Sequence, residues 1–262
     1  MIGFIGGGNM AEALIKGILQ SGMKDIMVSE PRDERRAYLE KTYGIKTTSD
    51  NKEICTNCTI IILAVKPQNM DDVTAEISGI ISSDTLIVSI AAGITLSYLS
   101  TRLKTSKIIR VMPNTPALVL EGISVLSMSE CIHDKEMGLV REIFMSVGKV
   151  LVLPEKYMDA VTALSGSGPA FVALFVEKMI DAGITMGLTG ENASELAIQT
   201  LIGTAKLLET GMPPGRLREM VTSPGGTTAA GLRVFEEKGL KNIVQAAIEA
   251  AAGRSRELGR KE

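Results

Sequence analysis

The sequence predicts an α/β protein: a doubly wound, mainly parallel sheet in the first part, followed by an all-helical second part. Apolar residues make up 45% of the 262 residues, which is ample for a core. Short apolar runs alternate with amphipathic helical stretches up to about residue 155, as in βαβ units. After Pro154 the strand pattern stops. We therefore predict two domains, 1–155 and 156–262.

The strands of the first domain are predicted from runs that are apolar almost throughout. Such runs are typical of parallel strands that helices cover on both faces. Helical patterns lie between them, including Met10, Leu14 and Ile18 at helical spacing. The predicted strands are 2–5, 26–29, 59–65, 85–90 and 107–112.

The second domain is predicted as consecutive helices. The second of them is apolar nearly all round, apart from Glu177, Lys178 and Asp181, and such a helix has to be buried on several sides. The domain is too short to bury it alone, so we expect a homodimer; a compact monomer with a well-covered bundle is the alternative. The predicted helices are 156–164, 169–187, 191–211, 214–221, 227–238 and 240–258.

Composition argues against several classes of partner. The formal net charge is −2, and no basic stripe with interleaved aromatic residues suggests a nucleic-acid surface. The chain enters an apolar strand at once, without a signal-peptide pattern. No apolar run approaches the ~18 residues of a membrane span. We expect a cytoplasmic protein that acts on a small molecule, with no nucleic-acid or membrane partner.

Cysteine and histidine are too sparse for a metal site. Cys55 and Cys58 form a "CTNC" motif, which raises a redox or zinc interpretation, but Cys131 is the only other cysteine and His133 the only histidine. An odd, sparse set fits a reducing compartment. We expect structural thiols, no metal, and a surface or capping role for His133.

The first candidate site is the stretch "GGGNMA", which follows the first strand. It has the form G-x-G-x-x-A. Gly6 permits the tight strand-to-helix turn, Gly8 lets the backbone approach a pyrophosphate, and Ala11 keeps the helix close to the sheet. The helix N-terminus adds unpaired N–H groups and a positive dipole end. Together with a second strand ending near Glu30, this context predicts a Rossmann domain that binds a dinucleotide. The predicted contacts here are Gly6, Gly7, Gly8, Asn9, Met10 and Ala11.

The residues around Glu30 leave the choice between NADPH and NADH open. An acidic side chain there can accept a hydrogen bond from the adenosine ribose and repel a 2′-phosphate, which favours NADH. Arg32, Arg35 and Arg36 follow closely and could neutralise that phosphate, or form a solvated helix face. On balance we expect both cofactors to be accepted.

Further loops lie at predicted carboxyl ends of strands, where ligands of open α/β sheets bind. Small residues in "AVKP" and "AAG" leave room for a ring and a ribose. Lys66 is a candidate catalytic amine, although a contact or solvated role is favoured. Asn114, between two prolines, predicts a polar turn near the nicotinamide or a plain structural turn. The positions in question are Ala64, Val65, Lys66, Pro67, Ile90, Ala91, Ala92 and Asn114.

Six motifs together carry a resemblance over essentially the whole chain. They are "FIGGGNMAEAL", "ILAVKPQ", "AAGIT", "VMPNTP", "ALSGSGPAF" and "VTSPGGTTAAGL". In this order they resemble the pyrroline-5-carboxylate reductase family, and the last three are far more specific than the glycine loop.

The resemblance implies an enzyme that transfers a hydride from NADPH or NADH to the C=N bond of 1-pyrroline-5-carboxylate, which gives L-proline. It also implies a C-terminal helical dimerisation domain, dimers that gather into rings such as a decamer, and an active site shared between subunits. It adds Asn51 to the cofactor contacts and Glu155 to the substrate contacts. Two positions depart from the family pattern: Glu30 replaces a small or neutral residue, and Met220 stands where an asparagine is frequent.

The stretch "SPGGTT" suits a small carboxylate. A helix that begins at Gly226–Thr227 offers free N–H groups, and glycine lets an anion approach without a β-carbon in the way. Thr228 is our candidate for the polar contact to the reacting ring nitrogen, as donor or relay to water. The alternative is a simple N-cap with a tight turn. The predicted substrate contacts are Glu155, Ser165, Ser223, Gly225, Gly226, Thr227 and Thr228, of which Thr228 is the catalytic candidate.

Two rival functions differ in what they require. A related dehydrogenase acting on a hydroxy acid or another imine needs a catalytic lysine or histidine in the helical half, where Lys178 and Lys206 are the candidates. A nicotinamide-sensing regulatory protein needs an effector segment, and no linker or low-complexity region provides one. A protonated imine is already an electrophile, so the leading function needs no strong protein acid.

Overall fold

The structure is a computed structural model that describes residues 1–259; the last three positions of the predicted second domain, 260–262, lie outside the described residues. Backbone contacts divide the described residues into two compact units, residues 1–167 with 250–259, and residues 168–249. The two units are named unit 1 and unit 2 below.

Within the described residues, unit 1 is built on an eight-stranded sheet in the order β3-β2-β1-β4-β5-β6-β7-β8. Neighbouring strands are parallel except for β6 and β7. The strand order reverses direction between β1 and β4, which is the topological switch point of a doubly wound sheet. The predicted mainly parallel sheet is confirmed. The strands are β1 Ile2–Ile5, β2 Ile26–Ser29, β3 Lys46–Thr48, β4 Ile60–Leu63, β5 Leu86–Ser89, β6 Ile108–Met112, β7 Gly122–Met128 and β8 Gly148–Val152.

Helices cover both faces of this sheet. One cluster of buried residues joins Phe4, Leu14 and Phe144, and a second joins Ile61, Met70 and Leu99. Strands buried between two such layers are apolar on both faces, which explains the continuous apolar runs in the sequence. The helices of unit 1 are α1 Asn9–Gln20, α2 Asp33–Tyr43, α3 Asn51–Asn57, α4 Met70–Ile77, α5 Leu96–Leu103, α6 Asp134–Met145 and α7 Met158–Val161.

Three strands were not predicted. β3 has only three residues, and two of them are threonines. β7 carries Ser124 and Ser127 inside the strand, which breaks the apolar run. β8 lies at the edge of the sheet, where several of its residues are exposed. Short, polar or edge strands lack the continuous apolar signal of central parallel strands.

Unit 2 consists of helices, as predicted. In the single chain only Gly183, Ala193 and Ala197 of residues 168–249 are buried. The helices are α8 Gly168–Thr185, α9 Gly190–Glu209, α10 Pro214–Met220, α11 Thr227–Glu237 and α12 Leu240–Gly259, the end of which belongs to unit 1.

One helical segment, Glu155–Thr185, is long and apolar enough to cross a membrane by length and composition. It has 31 residues and a mean hydropathy of 1.4 in its most apolar window, of which 11% is buried. The expectation that no stretch reaches that length is therefore wrong by length and composition, because mean hydropathy tolerates polar and charged residues that interrupt a continuous apolar run. The same bare apolar surface is what a helix covered by a second copy of the chain presents.

The predicted boundary after residue 155 stays a prediction. Backbone contacts group the segment up to Ser167 with the sheet, together with the end of α12. Within unit 1, the Ser255 hydroxyl near the end of α12 donates to Asp159 Oδ1 at 2.7 Å.

Candidate functional site

A cavity of about 600 Å³ opens at the carboxyl ends of β1, β2 and β4, at the switch point of the sheet. Seven of the predicted cofactor residues line it: Gly6, Gly8, Glu30, Asn51, Ala64, Val65 and Lys66. The remaining predicted positions do not line it: Gly7, Asn9, Met10, Ala11, Pro67, Ile90, Ala91, Ala92 and Asn114. Three of these, Gly7, Asn9 and Pro67, are immediate neighbours in the chain of residues that do.

The glycine loop has the geometry of a phosphate cradle. Gly6 has φ +99°, and a β-carbon there would lie 2.7 Å from the carbonyl oxygen of Ala64. Both the backbone conformation and the lack of space therefore exclude a larger residue. At Gly8, the N-cap of α1, a β-carbon would meet no atom within 4 Å. The backbone at the helix N-terminus is therefore open to a ligand. These features fit the pyrophosphate of a dinucleotide.

Glu30 is buried, with 4% of its surface exposed, and both carboxylate oxygens accept hydrogen bonds. Oε2 accepts from the Gly7 N–H at 3.0 Å, and Oε1 accepts from Arg32 Nε at 2.7 Å. Burial raises the pKa of Glu30, but the hydrogen bonds from Arg32 and Gly7 outweigh burial, and the pKa lies below its ordinary value. Glu30 is thus a charged acceptor at the cavity wall.

The three arginines after Glu30 have different partners. Arg32 lines the cavity and pairs with Glu30, while two thirds of its side chain is exposed. Arg36 donates to the carbonyl oxygen of Glu30 at 2.6 Å and pairs with Asp33. Arg35 contacts the backbone of the glycine loop. Of the three, only Arg32 lies at the cavity, so only it is placed to meet a 2′-phosphate.

Asn51 begins α3 and is held by side chains of neighbouring elements. Its Oδ1 accepts from the hydroxyl of Ser29 at 2.7 Å, and its Nδ2 donates to Glu76 Oε2 at 2.7 Å. Sequence reasoning missed four polar residues of the cavity: Ser29, Ser49, Gln68 and Asn69. Their place at the carboxyl ends of strands could have predicted them: Ser29 ends β2, and Gln68 and Asn69 lie in the turn Pro67–Asn69 after β4.

Asn114 is buried and holds the local turn. Its Oδ1 accepts from the Ile123 N–H at 2.9 Å, which ties the turn Thr115–Val119 to β7. The loop after β5, which includes Ile90–Ala92, is closed by Gly93 at φ +79°. A β-carbon on Gly93 would lie 3.1 Å from Leu258 Cβ, so α12 packs closely on this loop.

Glu155 links three parts of unit 1. Its Oε1 accepts from the Leu96 N–H at 2.8 Å, at the start of α5, and from Arg110 Nη1 at 2.9 Å. Arg110 is 5% exposed, so this ion pair neutralises a buried guanidinium in β6. Glu155 also borders an opening of about 790 Å³ that none of the predicted cofactor residues lines. Ser165 lies in the π-helical turn Thr162–Gly166, and its hydroxyl donates to the Val161 carbonyl oxygen at 2.9 Å.

The loop before α11 lies in unit 2 and is largely exposed. Gly225 has φ +69°, and the Gly226 N–H donates to the Ser223 carbonyl oxygen at 3.0 Å. A β-carbon on Gly226 would lie 2.3 Å from Ser223 Oγ. Gly226 is the N-cap of α11 and supplies no side-chain cap, so the first amides of the helix, from Thr227 and Thr228, have no intrahelical acceptor.

The two cysteines of the CTNC motif belong to the core. Cys55 and Cys58 are buried, and burial raises the pKa of Cys55 to about 11 and also raises that of Cys58. Among the described residues no cluster of three or more metal-ligating side chains occurs. His133 is the N-cap of α6, where its backbone N–H donates to Glu136 Oε2 at 3.0 Å.

Comparison with known proteins covers the chain from end to end. Residues 155–258 match the model "Pyrroline-5-carboxylate reductase dimerisation", and residues 1–93 match "NADP oxidoreductase coenzyme F420-dependent". A pyrroline-5-carboxylate reductase of Synechocystis sp. is 42% identical over 99% of this chain and 98% of its own length. One of Pisum sativum is 40% identical over 98% of this chain and 95% of its own length.

Solved structures give the same result. A pyrroline-5-carboxylate reductase from Coxiella burnetii is 35% identical, with a TM-score of 0.91 over 99% of this chain and 98% of its own. The Plasmodium falciparum enzyme, solved with NADP bound, is 34% identical, with a TM-score of 0.90 over 98% of this chain and 97% of its own. The chain therefore belongs to the pyrroline-5-carboxylate reductase family of NAD(P)-dependent oxidoreductases.

Proposed function

We propose that the protein catalyses the reduction of 1-pyrroline-5-carboxylate to L-proline with NADPH or NADH, the final step of proline biosynthesis. The observation that carries this function is the cavity at the switch point of the sheet, with an open glycine loop and a charged acceptor at its wall. It occurs in a chain that matches the family over nearly its whole length. When bound, the reduced cofactor supplies the hydride that C5 of the imine accepts.

We propose that the cavity residues hold the cofactor at its central pyrophosphate and at its adenosine ribose. The open backbone at Gly8 and the first amides of α1 receive the pyrophosphate. Glu30 accepts from the adenosine ribose, and Arg32 lies beside it. Ala64–Pro67 and Ile90–Ala92, at the ends of neighbouring strands, leave room for the ribose and nicotinamide; Asn51 supports the adenosine end.

We propose that the loop before α11 holds the substrate carboxylate. The amides of Thr227 and Thr228 face an N-cap without a side chain, which suits a small anion. Ser223, Gly225 and Gly226 shape the loop. The imine enters the reaction protonated, and as C5 accepts the hydride the ring nitrogen gains a lone pair, to which the Thr228 hydroxyl donates a hydrogen bond. Two substrate positions remain. Glu155 acts through its ion pair with Arg110, and Ser165 acts through the helical turn Thr162–Gly166 in which it lies.

The helical unit carries the family's dimerisation domain, so the protein is a homo-oligomer with a small-molecule substrate. We propose a homodimer as the basic unit and a decamer as the larger assembly. We further propose residues 1–155 as the dinucleotide-binding domain and residues 156–262 as the dimerisation and substrate-binding domain, with a cytoplasmic location and no nucleic-acid or membrane partner.

Purified protein mixed with 1-pyrroline-5-carboxylate and NADPH, or NADH, tests the function by loss of absorbance of the reduced nicotinamide. We expect turnover with at least one cofactor; no turnover with either would refute the activity. Thr228→Val removes the hydroxyl at nearly constant volume and should lower kcat about 100-fold. Thr227→Val is the matched control and should change kcat much less.

A further inference from the structure

The guanidinium of Arg35 contacts the backbone behind the glycine loop. Nε donates to the carbonyl oxygen of Gly7 at 2.6 Å, and Nη2 lies 3.4 Å from the carbonyl oxygen of Gly8. Arg35 does not line the cavity, whereas Arg32 does. The sequence-based expectation of a phosphate-neutralising role therefore does not fit the geometry of Arg35.

These two contacts orient two peptide planes. In a trans peptide, the C=O and the N–H of the next residue point in opposite directions. With the carbonyl oxygens of Gly7 and Gly8 directed at Arg35, the amides of Gly8 and Asn9 are directed away from it. The cavity is lined by Gly6 and Gly8, and the first turn of α1 follows. The Gly8 carbonyl also accepts from the Glu12 N–H at 3.0 Å, in the first turn of α1, so the particular contribution of Arg35 is to the Gly7 carbonyl and thereby to the orientation of the Gly8 amide.

A second group of side chains holds Arg35 in place. Its Nη2 donates to Glu12 Oε2 at 2.6 Å, and its guanidinium lies 5.1 Å from the centre of the Tyr38 ring. The other oxygen of Glu12 accepts from the hydroxyls of Tyr38 and Tyr43, each at 2.8 Å. Partial burial raises the pKa of Glu12, but the hydrogen bonds from Arg35, Tyr43 and Tyr38 lower it by more. The pKa therefore lies below its ordinary value and the carboxylate is charged.

Arg35 and Glu12 are both mostly shielded from solvent, with 17% and 19% of their side chains exposed. A shielded ion pair with additional hydrogen bonds holds its geometry far better than an exposed pair. The planar guanidinium also donates along several directions at once, which a lysine ammonium does not reproduce in the same geometry. The arrangement joins α1, α2 and the glycine loop into one rigid group.

We propose that Arg35, fixed by Glu12, is a positioning residue that presets the glycine loop for the pyrophosphate of the cofactor. The proposal rests on the cofactor site of the proposed function. NADH and NADPH share the pyrophosphate and differ only in the 2′-phosphate. A positioning role therefore affects both cofactors equally, whereas direct contact with the 2′-phosphate affects NADPH alone.

The test uses the full-length protein and measures the Kd of NADPH and of NADH by fluorescence titration, without substrate. For Arg35→Met we expect both values to rise about tenfold, because several hydrogen bonds to a charged donor are lost. Arg35→Lys keeps the charge and should recover only part of the affinity. At saturating cofactor the KM for 1-pyrroline-5-carboxylate should not change, which separates positioning from general damage.

Arg102→Met is the matched control. Arg102 pairs with Asp71 at 2.8 Å and lies 5.4 Å from the centre of the Tyr98 ring, so it has the same kinds of contact without touching the glycine loop. Its loss should leave both cofactor affinities unchanged. Thermal unfolding of every variant reports any general loss of stability.

Two outcomes would overturn the proposal: a weaker Kd for NADPH alone, or an unchanged Kd for both cofactors. If Arg35→Met does not fold, Arg35→Lys and Glu12→Gln test the proposal in the same way: each should raise the Kd of NADPH and the Kd of NADH by the same factor. Failure of the proposed function is a separate result, since it appears as wild-type protein that binds cofactor but does not reduce the imine.

Discussion

Unit 1 and unit 2 differ in what their own chain provides. In unit 1 the polar groups near the cavity are already paired, as with Glu30 and the amide of Gly7, above a core that helices cover on both faces. In unit 2, large apolar side chains such as Phe175, Val172 and Leu196 are exposed. Unit 1 thus has a core of its own, whereas unit 2 leaves apolar surface that we expect a second copy of the chain to cover.

This difference separates two kinds of preorganisation. Glu30 and Arg35 are oriented by neighbours within about forty residues of the chain start, in a unit with its own core. The loop at Gly226 precedes a helix whose apolar neighbours are bare in the single chain. Cofactor binding should therefore survive the loss of assembly, and substrate turnover should not.

The largest expected effect comes from a charge on the bare helix face. Phe175 on α8 lies 6.3 Å from the ring centre of Phe235 and is 45% exposed. Phe175→Asp should dissociate the oligomer and lower kcat/KM about 1000-fold, because a charge would replace an aromatic side chain on the face that we expect the second copy to cover. Analytical ultracentrifugation and the turnover assay measure both. Phe175→Leu is the control and should still assemble. If Phe175→Asp were assembled and active, the exposed apolar face of unit 2 would not be the surface that a second copy covers.

The next effect concerns stability in unit 1. Glu155→Ala leaves the buried Arg110 without its carboxylate and should lower the free energy of unfolding by about 2 kcal/mol, a reduced value because Glu155 is partly exposed. Chemical denaturation of the full chain measures this. Glu155→Gln keeps an oxygen for the Leu96 amide and should lose less. Equal stability of wild type and Glu155→Ala would show that the pair contributes nothing.

A smaller effect is expected at the loop of unit 2. In Gly226→Ala the new β-carbon would lie 2.3 Å from Ser223 Oγ, so the loop has to shift. The KM for 1-pyrroline-5-carboxylate should rise about tenfold, since the amides that we propose to bind its carboxylate would move. The Kd of the cofactor should stay constant, because the glycine loop of unit 1 is untouched. A change in cofactor affinity with unchanged substrate KM would reverse this assignment.

The smallest effect concerns cofactor preference at Glu30. Glu30→Ser removes a negative charge beside the expected 2′-phosphate position and should shift kcat/KM toward NADPH over NADH by about fivefold. Glu34→Ser, an exposed position in α2, is the control. A ratio of kcat/KM values that does not move would remove Glu30 from cofactor selection.

Glu30 also predicts a pH dependence of stability. Its pKa in the folded protein lies below the ordinary 4.5, so its contribution is present above about that pH and is lost as the pH falls through the lowered value. Denaturation of wild type and Glu30→Gln between neutral and acidic pH measures the contribution. The difference in stability between the two should shrink toward the acidic end.

Much of the fold could be predicted, because its signals are local. β1, β2 and β4–β6 are continuous apolar runs, and the helices after residue 156 follow helical spacing and end at glycine or proline. β3, β7 and β8 were not predicted, because a short strand, a strand with serines inside it or an edge strand has no continuous apolar run. For the candidate site, the glycine spacing pointed to the cavity, while Ser49 and Gln68 carry no pattern of their own.

The amino-acid sequence by itself determined the α/β class, the dinucleotide loop and the excess of apolar helix surface, because each depends on spacing within one segment. Only the tertiary structure decided that Glu30 meets Gly7, that Arg35 meets Glu12 and the glycine loop, and that Glu155 meets Arg110. Hydrogen bonds and ion pairs require atoms within about 3 Å, and residues that far apart in the chain reach this distance only after the sheet and its helices have packed.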